Sequence, residues 1–348
     1  MSITRVNFRK DIISGFRWLC LFLFLFLSYW WVMTNYIIRD FWDPSFVTKS
    51  ELLKARLKQY PGHPLWLVMG SSRVDEGLRP ALLLEQMRSG DAPLIFNFGM
   101  GGVGLFRQSV SLRRLLADGI MPRRVGIEIT PMLMDRETEM FADVPRLIVR
   151  ARRDEIDELC RRAADPNATH KSWLQSRLDP FYEYGMQIPN QTLSLRLLPL
   201  PFIRHLENRP YDNWGWFIGP PGAPPLDAYR QQLESARQEY VMDFTENFTV
   251  SRNFDKDLRA VLDLCRNTGM DVFLLRMPED RDFQAFYPAR ANAAVEAYLA
   301  KIEGEYGVRM IDARSWFPER DNFFDGHHLN ATGAELFTRR FADELMKQ

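Results

Sequence analysis

Short, largely apolar runs recur along the chain: Leu65-Trp66-Leu67-Val68-Met69, Leu94 to Phe98, Arg124 to Ile129, Val272 to Met277 and Val308 to Ile311. Runs of this length suit strands buried on both faces. Segments with helical periodicity separate or follow them: Leu78 to Met87, with Pro80 near its start where a missing amide is harmless, then Leu105 to Ala117, Phe254 to Asn267 and Ala289 to Glu305. Gly269 is a helix stop signal. A last helix is expected from about Thr332, where Thr332 and Glu335 have capping-box spacing. Strands alternating with helices predict an α/β fold, a parallel sheet covered on both faces.

A second constraint lies at the N-terminus. From Trp18 to Ile38 the chain carries no charge, a stretch of about 21 residues and long enough to cross a bilayer as a helix. It is apolar on every side, which argues against a core helix. Trp30, Trp31, Met33 and Tyr36 stand where a cleavable signal peptide would carry small residues, so a retained anchor is expected. Arg5, Arg9, Lys10 and Arg17 precede it, whereas Arg39 is balanced by Asp40 and Asp43, and the positive-inside rule puts the N-terminus in the cytoplasm. Residues 1–17 are then cytoplasmic, 18–38 the transmembrane anchor and 39–60 a connector. The main domain is expected on the periplasmic or extracellular side.

Alternation stops after Pro131. Residues 135–250 hold charged segments, among them the Arg146 to Arg153 run, read as a solvated helix face. They also hold proline-marked chain with Trp214-Gly215-Trp216-Phe217. This predicts a mainly helical and irregular insertion between two parts of one core, 61–134 and 251–348. Within a chain of 348 residues the formal net charge is zero, which gives no reason to expect a nucleic-acid partner. Cys20, Cys160 and Cys265 lack metal-site spacing. A Cys160–Cys265 bridge is a candidate if the domain is extracytoplasmic.

In open parallel sheets, ligands sit beyond the carboxyl ends of the strands. Those positions hold Gly70-Ser71-Ser72-Arg73, the segment Asn97 to Gly102, Thr130-Pro131, and a C-terminal loop, Asp325-Gly326-His327-His328-Leu329-Asn330. A serine at a strand-to-helix turn and an Asp three residues before a His are the parts of a Ser-His-Asp relay. Here the chain resembles the SGNH (GDSL-like) hydrolase superfamily, whose first block ends in a nucleophilic serine and whose last is Asp-x-x-His. Ser72 matches the nucleophile, with Ser71 where many members have Asp, and Asp325 and His328 match the acid and base. The resemblance implies an SGNH-like (flavodoxin-like) three-layer fold. It also implies an oxyanion hole from the Ser72 amide, Gly102 and a third-block Asn. That Asn is missing from Ile127-Glu128-Ile129-Thr130-Pro131, leaving Thr130 as the substitute. The anchor, the Gly-Ser-Ser turn, the insertion and Asp-x-x-His are similar to membrane-anchored members such as the teichoic-acid D-alanine transfer protein and the alginate O-acetylation proteins.

What the resemblance implies is a membrane-anchored extracytoplasmic serine acyltransferase or esterase. It would act on an acyl group, expected to be acetyl, of a cell-surface or secreted glycan through a Ser72 acyl-enzyme. It would need no cofactor or metal, and its implied acyl donor is a multipass membrane acyltransferase. Arg73, Asn97, Trp214 and Trp216 are candidate substrate contacts; the tryptophans could instead line the membrane interface or pack their loop, the commonest fate of such aromatics, and Arg73 could equally pair with Asp75 or Glu76. His327 is read as a solvent or backbone contact, with the role of base as its alternative, which the Asp-x-x-His spacing assigns rather to His328. A second reading is a non-catalytic scaffold or glycan-binding subunit. A third is a dinucleotide-binding oxidoreductase, since Gly99-Met100-Gly101-Gly102-Val103-Gly104 fits Gly-x-Gly-x-x-Gly with Glu128 near the acidic position.

Overall fold

The computed structural model describes residues 8–32, 43–83, 92–134, 148, 151–163, 165–178, 211–241 and 247–347. In chain order the helices are α1 (Phe8–Val32), α2 (Pro44–Gln59), α3 (Ser72–Gly77), α4 (Leu105–Ala117), α5 (Ile156–Arg162), α6 (Pro166–Leu178), α7 (Leu226–Val241), α8 (Arg252–Asn267), α9 (Arg281–Gln284), α10 (Ala289–Tyr306) and α11 (Ala331–Met346). The strands are β1 (Leu65–Gly70), β2 (Leu94–Gly99), β3 (Arg124–Glu128), β4 (Asp271–Arg276) and β5 (Arg309–Asp312). The chain divides into two compact units, residues 1–44 with 147–203, and residues 45–146 with 204–348.

In the larger unit the strands form one parallel sheet in the order β2-β1-β3-β4-β5. This is the doubly wound order in which the chain reverses direction across the sheet between β1 and β3, opening a crevice beyond those strand ends. Helices cover both faces. On one side lie α4 and α8, which contact each other and the central strands; α8 buries Phe254, Leu258, Val261, Leu262 and Cys265 at helical spacing and is capped by Ser251, whose hydroxyl accepts from the Phe254 amide. α10 meets α8 through the Phe254 and Tyr298 rings and the Arg259–Glu305 ion pair. On the other side α3 and α11 pack together, with Phe341 of α11 against Phe273 of β4.

The edge strand β2 is covered. The Asn97 amide donates to the Trp214 carbonyl at 3.1 Å and the Phe217 amide to the Asp75 carbonyl at 2.9 Å, so residues 211–217 occupy an edge that would otherwise invite another chain. Gly215 makes the fit: at φ +83 a Cβ there would lie 2.2 Å from the Asn97 oxygen. From α2, fully buried Lys49 clamps the arrangement, donating to Asp75 Oδ1 at 2.5 Å and to the Gly215 carbonyl at 2.6 Å.

Several expectations are corrected. The helix expected over 78–87 is a single 3-10 turn, Pro80–Leu83, where described; residues 84–87 lie outside the described residues, as do 33–38 of the anchor, 135–147 and 179–210 of the insertion, and Arg146 and Arg150. The helix after β1 begins at Ser72 and is too short to show periodicity. Helix α11 is capped by Asn330, whose side chain accepts from the Gly333 amide at 3.0 Å, not by Thr332, whose hydroxyl donates to the Pro221 carbonyl. Cys160 and Cys265 are both free thiols.

Lys49 is held at full burial by the Asp75 charge and by the Gly215 carbonyl that accepts from it. Lys49→Met, which takes the Lys49 cation away from the buried Asp75 carboxylate, is expected to cost about 3–5 kcal/mol. The thermal midpoint of Lys49→Met/Asp75→Leu should lie closer to wild type than that of Lys49→Met alone. A double variant as unstable as the single one would mean that the ion pair is not the element being lost.

Candidate active site

Strand β1 is apolar and buried for most of its length, and at its end the chain turns sharply into α3. Ser71 caps α3 in an extended conformation, its hydroxyl accepting from the Arg73 amide at 3.2 Å. Its own amide donates to Glu128 Oε2 at 2.5 Å. Glu128 closes β3 and is buried. Gly70 allows this approach, because a Cβ there would stand 2.4 Å from Glu128 Oε2. Arg73 Nε lies 4.0 Å from Glu128 Oε1, and its Nη2 donates to Glu279 Oε1 at 3.0 Å and to the carbonyls of Met277 and Pro278. The Tyr287 hydroxyl donates to the same Glu279 oxygen at 2.6 Å. Burial works against the Arg73 charge, but Glu279 and Glu128 outweigh it and raise its pKa; burial, then Glu279, pushes the Tyr287 phenol well above its ordinary value.

This turn leaves Ser72 at the first position of α3. Its Oγ lies 2.6 Å from His328 Nε2, and His328 Nδ1 lies 2.7 Å from Asp325 Oδ2. The other Asp325 oxygen accepts the His328 amide at 2.8 Å and the His327 amide at 3.2 Å. The loop is fixed by the Phe324 amide donating to the His328 carbonyl, by the Asp280 amide donating to the Gly326 carbonyl, and by the Asn330 side chain donating to the Asp321 carbonyl. Asp280 in turn caps α9 and accepts from the Tyr229 hydroxyl of α7.

The electrostatics divide the two histidines. Burial would raise the Asp325 pKa, but both neighbouring histidines and its hydrogen bonds pull it far below the carboxylate range. Burial would lower the His328 pKa, yet Asp325 dominates and lifts it to about 9. For His327 burial wins and holds it down to about 3. That residue is not a solvent contact: it is 4% exposed, stacks on Phe283 at 4.8 Å and sets Nδ1 3.3 Å from Asp325 Oδ1. Among the described residues, Asp325, His327 and His328 bring potential metal ligands within 4.8 Å of one another. Both His328 nitrogens are already engaged by Ser72 and Asp325, so the set fits a proton relay better than a metal.

The remaining candidates fare unevenly. Gly102 lies in an exposed turn after β2, at φ +70. Thr130 is near the Ser71 turn, but its hydroxyl donates to Glu128 Oε1 at 3.2 Å and is committed there. Asn97 is buried and no substrate contact: its amide donates to the carbonyls of Val74, Asp75 and Leu78 and its oxygen accepts from the Gly99 amide. Arg73 is equally occupied, by Glu279 rather than by Asp75 or Glu76. Trp214 and Trp216 are 4% and 5% exposed; Trp214 packs on Tyr60, and the Trp216 indole donates to the Glu76 carbonyl beneath Arg79. They pack their loop and offer no face for stacking on a sugar. Glu128, engaged by Ser71 and Thr130, is not free to hold a ribose. Glu128, Glu279 and Tyr287 were not singled out as parts of this site from sequence; their partners are far away in the chain, and only burial at strand ends marks them.

A protein-family model matches residues 233–348, less than half of the chain, including β4, β5 and the loop with Asp325 and His328. No curated protein matches the chain. Among solved structures, a Bacteroides fragilis protein provisionally described as an acylhydrolase is similar at 10% identity and a TM-score of 0.35, covering 85% of this chain and 96% of its own.

The His328–Asp325 pair makes stability depend on pH in a defined direction. Folding raises the His328 pKa from 6.5 to about 9, so its stabilisation is complete below pH 6.5 and disappears as pH rises through about 9. His327 acts at the other end: with its pKa lowered to about 3, stability falls as pH drops below 6.5. The thermal midpoint of the wild type is expected to decline between pH 6.5 and 9, and His328→Gln to lose most of that slope. An unchanged slope would show that His328 does not carry the titration.

Proposed function

We propose that this chain is a membrane-anchored serine acyltransferase or esterase working through an acyl-enzyme on Ser72. The observation that carries the reading is the unbroken relay from Ser72 Oγ to His328 Nε2 at 2.6 Å and from His328 Nδ1 to Asp325 Oδ2 at 2.7 Å. With His328 neutral, Nε2 takes the Ser72 proton as Oγ attacks the acyl carbonyl carbon, and Asp325 stabilises the imidazolium. The tetrahedral oxygen would lie against the amides of Ser72 and Gly102. Collapse breaks the bond to the donor alcohol, which leaves with the proton from His328. A glycan hydroxyl or water then gives its proton to His328 and takes the acyl group, restoring Ser72. An SGNH-like fold is consistent with the strand order and with a serine at the first strand end.

Helix α1 contains the apolar stretch Ser14–Val32, with a mean hydropathy of 1.5 and surface exposure along nearly all of it, which supports a single-pass anchor. The basic residues before it support an N-terminus in the cytoplasm and a catalytic domain outside. On that side, acetyl is the expected acyl group, an extracytoplasmic glycan its acceptor and a multipass membrane acyltransferase its source. The committed Thr130 hydroxyl favours slow transfer within an assembly, since one missing oxyanion donor costs about 2.7–4 kcal/mol of transition-state stabilisation. The same observation keeps a scaffold role as the second reading.

Incubation of the full chain with an activated acetyl ester, followed by intact-mass measurement, tests this directly. Wild type should gain one acetyl mass located on Ser72, Ser72→Ala none, and His328→Ala far less at the same time point. Because the base form of His328 grows as pH approaches its pKa of about 9, the acylation rate should climb with pH and level off above that value. Serine-independent labelling, or no adduct at any pH, would favour the scaffold.

A further inference from the structure

Helix α6 is tied to the end of α1. The Trp30 indole N–H donates to the Arg177 carbonyl at 3.1 Å. α6 is itself fixed, because the Trp173 indole and the Arg177 guanidinium both donate to the Ala151 carbonyl, at 3.0 and 2.5 Å, and the guanidinium lies over the Trp173 ring. Trp30 stands within the last turn of the apolar stretch Ser14–Val32, flanked by Tyr29 and Trp31. That is the level at which Trp and Tyr concentrate at a lipid–water boundary.

The outward face of α6 changes character along its length. Asn167, Lys171, Leu174 and Leu178 follow one another at helical spacing and are all exposed. Leu174 is 40% and Leu178 69% exposed, and they lie at the end that Trp30 holds, whereas Asn167 and Lys171 lie at the end away from it. A scattered exposed leucine is ordinary. Two on one face at the end of the helix that Trp30 holds, with polar residues at the other end, give α6 an apolar tip at the level where α1 leaves the apolar stretch.

We propose that α6 is an interfacial helix whose C-terminal end dips into the bilayer that α1 spans, with Leu174 and Leu178 in the headgroup–acyl boundary, Lys171 at the phosphate level and Asn167 in water. The ligand of this surface is lipid. The proposal rests on the reading of α1 as an anchor. It gives the smaller unit a second attachment to the same leaflet.

The test uses the full chain, with Cys20 and Cys160 replaced, reconstituted in mixed phosphatidylethanolamine and phosphatidylglycerol vesicles at high dilution. Single cysteines carrying an environment-sensitive fluorophore are placed at Phe24, Asn167, Lys171, Leu174 and Leu178, and at Arg230 as a water reference. Quenching by lipid-borne nitroxides should be strong at Phe24, several-fold greater at Leu178 and Leu174 than at Asn167, and intermediate at Lys171. Trp30→Phe, which removes the indole donor, should shrink the contrast between Leu178 and Asn167. If Phe24 is quenched while Leu178 and Leu174 match Arg230, the interfacial helix is wrong and the anchor stands. If Phe24 also matches Arg230, the anchor reading fails as well. Shielding of Leu178 that appears only at high protein density, without lipid quenching, would assign the face to another protein chain and overturn the proposal.

Discussion

The carboxylate of Glu128 sits under the turn on which the site is built. It receives the Ser71 amide at 2.5 Å, the Thr130 hydroxyl at 3.2 Å and the flank of the Arg73 guanidinium. Without an acceptor there, a buried amide and a buried cation would both lose a partner. Losses of this kind are costly, about 1–3 kcal/mol for the neutral donor and more for the charge. The bracing also sets direction: with Ser71 held from below and Gly70 leaving room for the carboxylate, Ser72 is the residue that emerges toward His328.

The other parts follow outward from this turn. Arg73 carries the constraint from β3 to the segment after β4 through Glu279, and Tyr287 joins that carboxylate from the start of α10's approach. Asp280, the next residue, holds the Gly326 carbonyl and is held by Tyr229, so the loop carrying Asp325 and His328 is tied to the network that carries Ser72. Lys49 does the same on the opposite side, linking α2 to α3 and to the loop over the sheet edge. Serine and histidine, 256 residues apart in sequence, thus meet through buried polar contacts at strand ends rather than through local chain geometry.

How much of this was legible in the sequence depended on range. The strands were visible because a strand buried on both faces is apolar along most of its length, and Asp325 and His328 because their spacing is local. Ser72 was visible because a serine following an apolar run and a glycine marks a strand-to-helix turn. The brace was not visible: Glu128 reads as the polar end of a strand, and its pairing with Ser71 spans 57 residues. Short elements were lost too, since the helix from Ser72 to Gly77 is too brief for periodicity. Residue types with two common fates misled in both directions. Trp214 and Trp216 suggested a sugar platform, but both are buried, Trp214 against Tyr60 and Trp216 with its indole donating to the Glu76 carbonyl of α3. Thr332 suggested a cap, but Asn330, nearer the first turn, performs it.

The claim that the buried Glu128 brace presents Ser72 to His328 is tested most directly by the rate at which a fluorophosphonate labels Ser72. Small displacements of a nucleophile cost on the order of 10²-fold in rate. Glu128→Ala, checked for retained fold by circular dichroism, is predicted to label slower by about that factor, and Glu128→Gln, which keeps an acceptor for the Ser71 amide, to recover part of the rate. A folded Glu128→Ala chain that labels Ser72 as fast as wild type would contradict the account.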